Sequence, residues 1–158
     1  RVPATETFTL SVAPVGGGGL TSGLIQGIRS SGREMTVVGA EPLLGNDAAR
    51  SLREGRIVPN ETEPQTIADG ARTVSLGEHN WAVLKEGLHG IVEVPDDHIQ
   101  EAVRLLFTLA NLKCEPTGAL SVGALLTEPE SFRARSVCCV ISGGNVDPQL
   151  FAKILQNL

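Results

Sequence analysis

A run of four consecutive glycines, at positions 16–19, joins two apolar segments and restricts the folds open to this chain. The preceding segment, 7–15, is mostly apolar and predicts a buried strand. The following segment, 20–31, has apolar side chains at helical spacing, and Gly32 suits the end of that helix. Glycines let backbone N–H groups converge on an anion, and a helix amino terminus adds partial positive charge. The order strand, glycine loop, helix therefore indicates a site for phosphate or another anion, with a ligand-free tight turn as the alternative.

The glycine loop lacks the features of two common nucleotide-binding motifs. It does not read Gly-x-Gly-x-x-Gly with a following acid for a ribose, and it does not end in Gly-Lys-Ser or Gly-Lys-Thr. Dinucleotides and nucleoside triphosphates are therefore disfavoured as ligands.

A second glycine turn, 142–147, directly follows another predicted strand at 136–141. That strand shows no polar alternation, so we expect it to be buried on both faces. Ligands of parallel sheets bind at the carboxyl ends of the strands, so the two glycine turns could face one ligand. The Ser142 hydroxyl could there donate a hydrogen bond to a ring nitrogen. The alternative for this segment is a glycine turn with a helix cap.

Strands and helices alternate along the rest of the chain. Further strands are predicted at 35–40 and 91–94. Helices are predicted at 46–54, 80–88, 96–112 and 117–126, and a last one begins at Asp147 and Pro148. This alternation predicts an α/β fold, a three-layer sandwich with a mostly parallel sheet.

Composition excludes several classes of function. The net charge is −5, with only 13 Lys plus Arg and no basic cluster, which disfavours binding to nucleic acid or to an anionic membrane. Apolar runs are too short for a membrane span, and no signal peptide is recognisable. The three cysteines do not form a disulfide framework, and Cys138 and Cys139 lie in an apolar run that predicts buried free thiols. Free thiols suit a reducing compartment, so we expect a cytoplasmic protein.

The two glycine loops together resemble the phosphate loop and the pyridine-nitrogen turn of fold-type II pyridoxal 5′-phosphate (PLP) enzymes. The resemblance is to the serine racemase and threonine dehydratase (threonine ammonia-lyase) family. It is carried by 14–20 and 142–147, with Glu41-Pro42, 66–70 and 115–119 between them in the family's order. It spans nearly the whole chain and implies the tryptophan-synthase-β-like fold, of which this chain would supply half of the large domain.

The resemblance also implies which residues hold the cofactor. Backbone N–H groups of the glycine loop would bind the phosphate, and Ser142 would bind the pyridine nitrogen. Glu115 matches the family's acidic residue near the cofactor ring, although an acid that begins a helix is an equal alternative. The implied cofactor-binding residues are Gly16, Gly17, Gly18, Gly19, Leu20, Gly70, Glu115 and Ser142. A neutral Ser at the ring nitrogen gives a moderate electron sink, which suits elimination or racemisation.

A metal site is implied as well. The matching ligands would be the Glu41 carboxylate, the Gly45 carbonyl and the Asp47 carboxylate. These hard oxygens suit Mg²⁺ or Ca²⁺ with water completing the shell. The alternative is an ordinary loop with a solvated Asp and a helix cap.

The lysine that holds PLP in this family has no counterpart in the sequence. The family places it in a Ser-x-Lys-x-Arg-Gly segment, amino-terminal to all the motifs above. Lys85, Lys113 and Lys153 are the three lysines, and none lies in such a segment. We therefore expect residues 1–158 to be the carboxy-terminal part of the PLP-binding large domain, without the lysine segment and the small domain. Such a fragment, or piece of a split enzyme, would contain no catalytic residue and would be inactive alone.

The resemblance implies a PLP-dependent dehydratase or racemase of amino-acid metabolism. Its substrate would be L-threonine or serine, and the sequence chooses neither between these two nor between dehydration and racemisation. The alternatives are a non-catalytic module that binds PLP or phosphate, and a structural piece that completes its sheet with another chain. The expected partners are the amino-acid substrate and either a second copy in a homodimer or the missing amino-terminal part.

Overall fold

The computed structural model of this protein describes residues 8–156, which form one four-stranded sheet. The strands are β1 (Leu10–Pro14), β2 (Thr36–Pro42), β3 (Leu88–Val94) and β4 (Val137–Cys139). Their spatial order is β3-β2-β1-β4, and all three neighbouring pairs are parallel. The predicted α/β fold with a mostly parallel sheet is confirmed. Residue 7, included in the first predicted strand, lies outside the described residues.

Seven α-helices accompany the strands within the described part of the chain. They are α1 (Gly19–Ser30), α2 (Asp47–Glu54), α3 (Glu78–Gly87), α4 (Asp96–Ala110), α5 (Pro116–Thr127), α6 (Pro129–Phe132) and α7 (Pro148–Leu155). The predicted cap is confirmed at α7, where the Asp147 carboxylate accepts a hydrogen bond from Leu150 N at 2.8 Å. No helix within residues 8–156 combines the length and apolar character that a bilayer crossing requires.

Helices cover both faces of the sheet. On one face, α5 and α6 pack Leu120, Ala124 and Phe132 against the strands. On the opposite face, α1 and α3 bury Ile25 and Leu84. The predicted three-layer arrangement is therefore confirmed. A further apolar cluster joins α4, α5 and α7.

Strand β4 differs from its prediction. It is shorter than 136–141, and Val137, Cys138 and Cys139 are half-buried rather than buried on both faces. The expectation of buried thiols therefore fails at this pair, whereas Cys114 is only 1% exposed. Among the described residues β4 pairs with β1 alone, so its second edge is open. An apolar sequence indicates that a strand is suited to burial on both faces. It does not indicate whether the element that would cover the strand is present.

Candidate cofactor site

A cleft of about 240 Å³ lies at the carboxyl ends of β1 and β4. Parallel sheets form ligand sites at this edge because loops that leave neighbouring strands face each other there. The lining residues are Pro14, Gly16, Gly17, Gly18, Gly19, Leu20, Gly70, Glu115, Thr117 and Ser142. All eight residues that the resemblance implied for the cofactor thus share one cleft, and Pro14 and Thr117 join them.

The glycine loop forms one wall, and both the backbone and the packing at its third position favour glycine. Gly18 has φ +90° and ψ −3°, a left-handed conformation that side chains rarely adopt. A Cβ built there would lie 2.8 Å from Leu84 Cδ1, because α3 packs directly behind the loop. Helix α1 begins at the next residue, Gly19, so its amino terminus opens onto the cleft. The wall therefore presents backbone donors and partial positive charge, as binding of an anion requires.

The opposite wall is the turn after β4, which packs against the start of α5. Gly143 has φ +67°, and a Cβ there would overlap the Glu115 carboxylate. Glu115 N donates a hydrogen bond to the Gly143 carbonyl at 3.3 Å. Glu115 both precedes α5 as its cap residue and lines the cleft, so the two interpretations of this acid describe the same position.

Gly70 forms the third side of the cleft and is fixed from two helices. Its N–H donates to the Thr117 hydroxyl at 3.0 Å, at the start of α5. Upstream, the Asp96 carboxylate at the start of α4 accepts from the Thr66 hydroxyl at 2.5 Å and from Ile67 N at 3.0 Å. Sequence reasoning missed Thr117 and Asp96 as supports of the site. Thr117 lies in a segment, 115–119, that already matched the family.

A sequence profile described as "Pyridoxal-phosphate dependent enzyme" matches residues 4–143. The chain belongs to the pyridoxal-phosphate dependent enzyme family. It is 37% identical to an L-threo-3-hydroxyaspartate ammonia-lyase of Pseudomonas sp over 142 residues, 90% of this chain and 44% of the relative. It is 34% identical to the serine racemase of Homo sapiens over 150 residues, 93% of this chain and 43% of the relative.

A solved structure of T.th. threonine deaminase superposes on this chain with a TM-score of 0.84 and 42% identity. The match covers 89% of this chain and 51% of that one. The structure of maize serine racemase also gives a TM-score of 0.84, at 27% identity, covering 95% of this chain and 46% of that one. The chain thus has the fold-type II architecture, and it spans about half the length or less of the relatives it matches.

The carboxylates of the implied metal set lie at the start of α2 and are not among the residues that line the cleft. Glu41 is 1% exposed, and its two oxygens accept from Ala48 N at 2.8 Å and Ala49 N at 2.9 Å. Burial raises the pKa of Glu41 to about 8. Asp47 is equally buried, and burial raises its pKa to about 6. Asp47 Oδ1 accepts from the Asn60 amide at 3.2 Å.

One feature of these residues favours cation binding, and another restricts how many protein ligands a cation could have. Asp47 Oδ2 is buried and has no partner within hydrogen-bonding geometry, although the Leu76 backbone N–H is near enough to lower the pKa of this carboxyl. A buried carboxylate oxygen without such a partner is unusual, and a cation would complete its coordination. However, no group of three or more His, Cys, Asp or Glu side chains suited to a metal ion occurs within residues 8–156. Any cation here would depend on two carboxylates, a backbone carbonyl such as that of Gly45, and water.

No lysine lines the cleft among the described residues. Lys85 lies on α3, Lys113 in the segment before α5, and Lys153 on α7, and all three side chains are exposed. The cleft therefore offers groups that can bind PLP, but no amine from residues 8–156 that can carry it covalently.

Proposed function

We propose that this chain forms the phosphate- and ring-binding half of the active site of a PLP-dependent ammonia-lyase (dehydratase) or racemase. The substrate is a β-hydroxy amino acid, with L-threonine and serine as the leading candidates. The observation that carries this proposal is the cleft in which the glycine loop, Gly70, Glu115 and Ser142 meet. The relatives support it, because the amino acids in their names (3-hydroxyaspartate, serine and threonine) all carry a β-hydroxyl group.

Each wall of the cleft has a defined task in this proposal. The backbone N–H groups of 16–20 and the α1 amino terminus bind the phosphate. The Ser142 hydroxyl donates to the pyridine nitrogen and fixes the orientation of the ring, while Glu115 lies beside it. PLP, when bound, supplies an electron sink for the negative charge that develops at the substrate's α-carbon. Because Ser142 is neutral, it orients the ring without fully protonating its nitrogen.

The lysine and the acid–base groups of the other half come, in this proposal, from a segment outside residues 8–156. Residues 1–158 then act as the carboxy-terminal part of the cofactor-binding domain. The open edge of β4 is the place where that segment joins. An apolar groove of about 400 Å³ borders this edge, with Leu24, Ile28, Cys138 and Val140 among its lining residues. A further protein segment or a second copy of the chain would bury this groove.

The β3 edge is a poorer place for this contact. It carries Glu93, which forms an ion pair with Arg53 at 2.6 Å, and the exposed His89. Charged and polar side chains protect edge strands from pairing with other chains. Residues 137–141 at the β4 edge read Val-Cys-Cys-Val-Ile and contain no charge.

We propose Mg²⁺ or Ca²⁺ at Glu41, Gly45 and Asp47 as a secondary element of the function. The unpartnered Asp47 Oδ2 supports it. Titration with either ion should release or absorb heat and raise the melting temperature, and Asp47→Asn should abolish both effects. An unchanged melting temperature and no heat in the wild-type chain would exclude the metal site.

The test of the main proposal is borohydride reduction of the chain in the presence of PLP, followed by peptide mass spectrometry. The chain alone should bind PLP with a free-aldehyde spectrum and should show no stoichiometric pyridoxyl group on Lys85, Lys113 or Lys153. A longer polypeptide that contains this chain should trap PLP on one lysine and should convert threonine or serine to the keto acid or the other enantiomer. Absence of PLP binding in both samples would refute the proposal.

A non-catalytic module that binds PLP or phosphate is the second candidate. The observation that favours it is the absence of a lysine from the cleft within residues 8–156. It predicts PLP binding that inorganic phosphate competes away, with no lysine trapped even in the longest natural polypeptide that contains this chain.

A further inference from the structure

The carbonyl group of Gly17 is bound on the side of the glycine loop that faces α3. Its oxygen accepts a hydrogen bond from Asn80 Nδ2 at 2.7 Å and a longer one from Gly77 N at 3.3 Å. Neither donor lines the cleft, and Asn80 belongs to the first turn of α3. The carbonyl therefore points away from the cleft and towards α3.

Because the peptide bond is planar, the hydrogen bonds to the Gly17 carbonyl also fix the direction of the Gly18 N–H. No cis peptide bond occurs in the described chain, so the Gly18 N–H points opposite to the Gly17 carbonyl. That direction is away from α3, where the cleft lies. If the peptide turned over, a carbonyl oxygen would face the cleft, and its partial negative charge would repel a phosphate.

The Gly17–Gly18 peptide needs a restraint on its orientation because both of its residues are glycines. Glycine occupies both halves of the conformational map at similar cost, so a peptide between two glycines turns over more easily than most. Residues 16–19 have no side chains that could oppose this rotation of the peptide plane. The restraint must come from a neighbouring element, and α3 supplies it.

The Asn80 side chain is itself held in the orientation that this role requires. Its Oδ1 lies 3.2 Å from the hydroxyl of Ser22, in the first turn of α1. The single proton of that hydroxyl is shared between Asn80 Oδ1 and the Gly19 carbonyl oxygen, which lies at 3.1 Å. The contact at Oδ1 leaves the Nδ2 donors for Gly17. Asn80 thus connects three parts, α3, the glycine loop and the start of α1, through one amide group.

We infer that Asn80 is a positioning residue for the cofactor phosphate: it fixes the Gly17–Gly18 peptide so that the Gly18 N–H is directed at the phosphate. The inference rests on the proposed function, since it assumes that the anion in the cleft is the phosphate of PLP. Asn80 acts only through Gly17 and does not touch the cofactor.

The test compares PLP with pyridoxal, which lacks the phosphate, by equilibrium binding to the 158-residue chain. In Asn80→Ala the affinity for PLP should fall by about three- to tenfold, the range expected for one hydrogen bond, while that for pyridoxal stays constant. Asn80→Asp keeps the shape but loses the donor and adds a negative charge, so its loss should be larger. Val83→Ala is the matched control, because Val83 lies on the same helix, is partly buried and packs against the core cluster that contains Ile25 and Leu84. It should lower the melting temperature and leave the ratio of PLP to pyridoxal affinity unchanged.

The outcomes separate this inference from the proposed function. A wild-type chain that binds PLP no better than pyridoxal contradicts the phosphate site itself. If the wild-type chain prefers PLP over pyridoxal and Asn80→Ala shows the same preference, the positioning role of Asn80 is contradicted. The proposed function is then unaffected. Equal losses for both ligands in Asn80→Ala would show a merely structural residue and would also overturn the inference.

Discussion

Gly18 carries two independent restrictions, a left-handed backbone and the contact with Leu84. Gly18→Ala should therefore lower the free energy of unfolding by roughly 2–4 kcal/mol, from backbone strain and overpacking together. The neighbouring Gly19→Ala is a matched control, because nothing lies within 4 Å of a Cβ there and the position begins a helix. It should change stability by less than about 1 kcal/mol, in the stabilising direction. Urea unfolding of both variants measures the difference, and equal effects would show that the turn is not as described.

At the residue scale, the sequence predicted positions that have a special chemistry and missed those that act through long-range hydrogen bonds. The glycines were recognisable because few other residue types suit a left-handed backbone or a close packing contact, and Ser142 lies in the cleft with them, as predicted. Asn80, Thr117 and Asp96 were missed as supports because their partners are distant in sequence. Asn80 forms a hydrogen bond with Gly17, and Thr117 forms one with Gly70. The sequence around Asn80 and Thr117 contains no pattern that indicates these contacts.

At the scale of elements, the start of α4 has a task beyond capping a helix. Asp96 and Asp97 both favour the helix dipole, but only Asp96 also holds the segment that leads to Gly70. Asp96→Ala should cost about 2–3 kcal/mol, because two hydrogen bonds to a charged group are lost. Asp97→Ala should cost less than about 1 kcal/mol, since Asp97 is exposed and bonds only to the adjacent His98 N. Thermal unfolding of the pair tests this, and similar losses in both would contradict an anchoring role for Asp96.

The open edge of β4 leads to a prediction about association. Cys138→Lys places a charge in the apolar groove beside β4, where Leu24 and Val140 also lie. This variant should shift the chain towards monomer and weaken its binding to a lysine-bearing segment, because a charge would have to be buried there. His89→Lys on the β3 edge is the control and should leave association unchanged. Sedimentation velocity at several protein concentrations measures the association of both variants. Equal association of the two variants would contradict a contact at the β4 edge.

Elements were predictable where local pattern decides them. The apolar spacing of α4 and the strands β1 and β2 appear within a few residues of their predicted limits. β4 was predicted too long and too deeply buried, because its apolar residues indicate a covering partner that is absent from the described residues. β3 was predicted too short, since its first part carries His89 and Gly90, which do not look like an apolar strand.

At the scale of the whole molecule, the order β3-β2-β1-β4 explains why two distant glycine loops share one cleft. β1 and β4 are neighbours in the sheet although they lie far apart in sequence, and both run in the same direction. Their carboxyl ends therefore meet, and the residues that follow face each other. The position of both glycine turns after predicted parallel strands predicted that they could face one ligand, and the family's order of motifs agreed with it, whereas periodicity alone could not have predicted which strands pair.

The central claim is that this cleft holds PLP, and ¹H–¹⁵N NMR of the labelled chain during a PLP titration tests it most directly. We expect saturable shifts of the backbone amides at 16–20, at Gly70 and at 142–144, with smaller shifts when pyridoxal replaces PLP. We also expect unchanged amides around His89 and Arg135, which line a separate cavity on the chain. Shifts confined to that cavity, or no shifts at the glycine loop at saturating PLP, would contradict the claim.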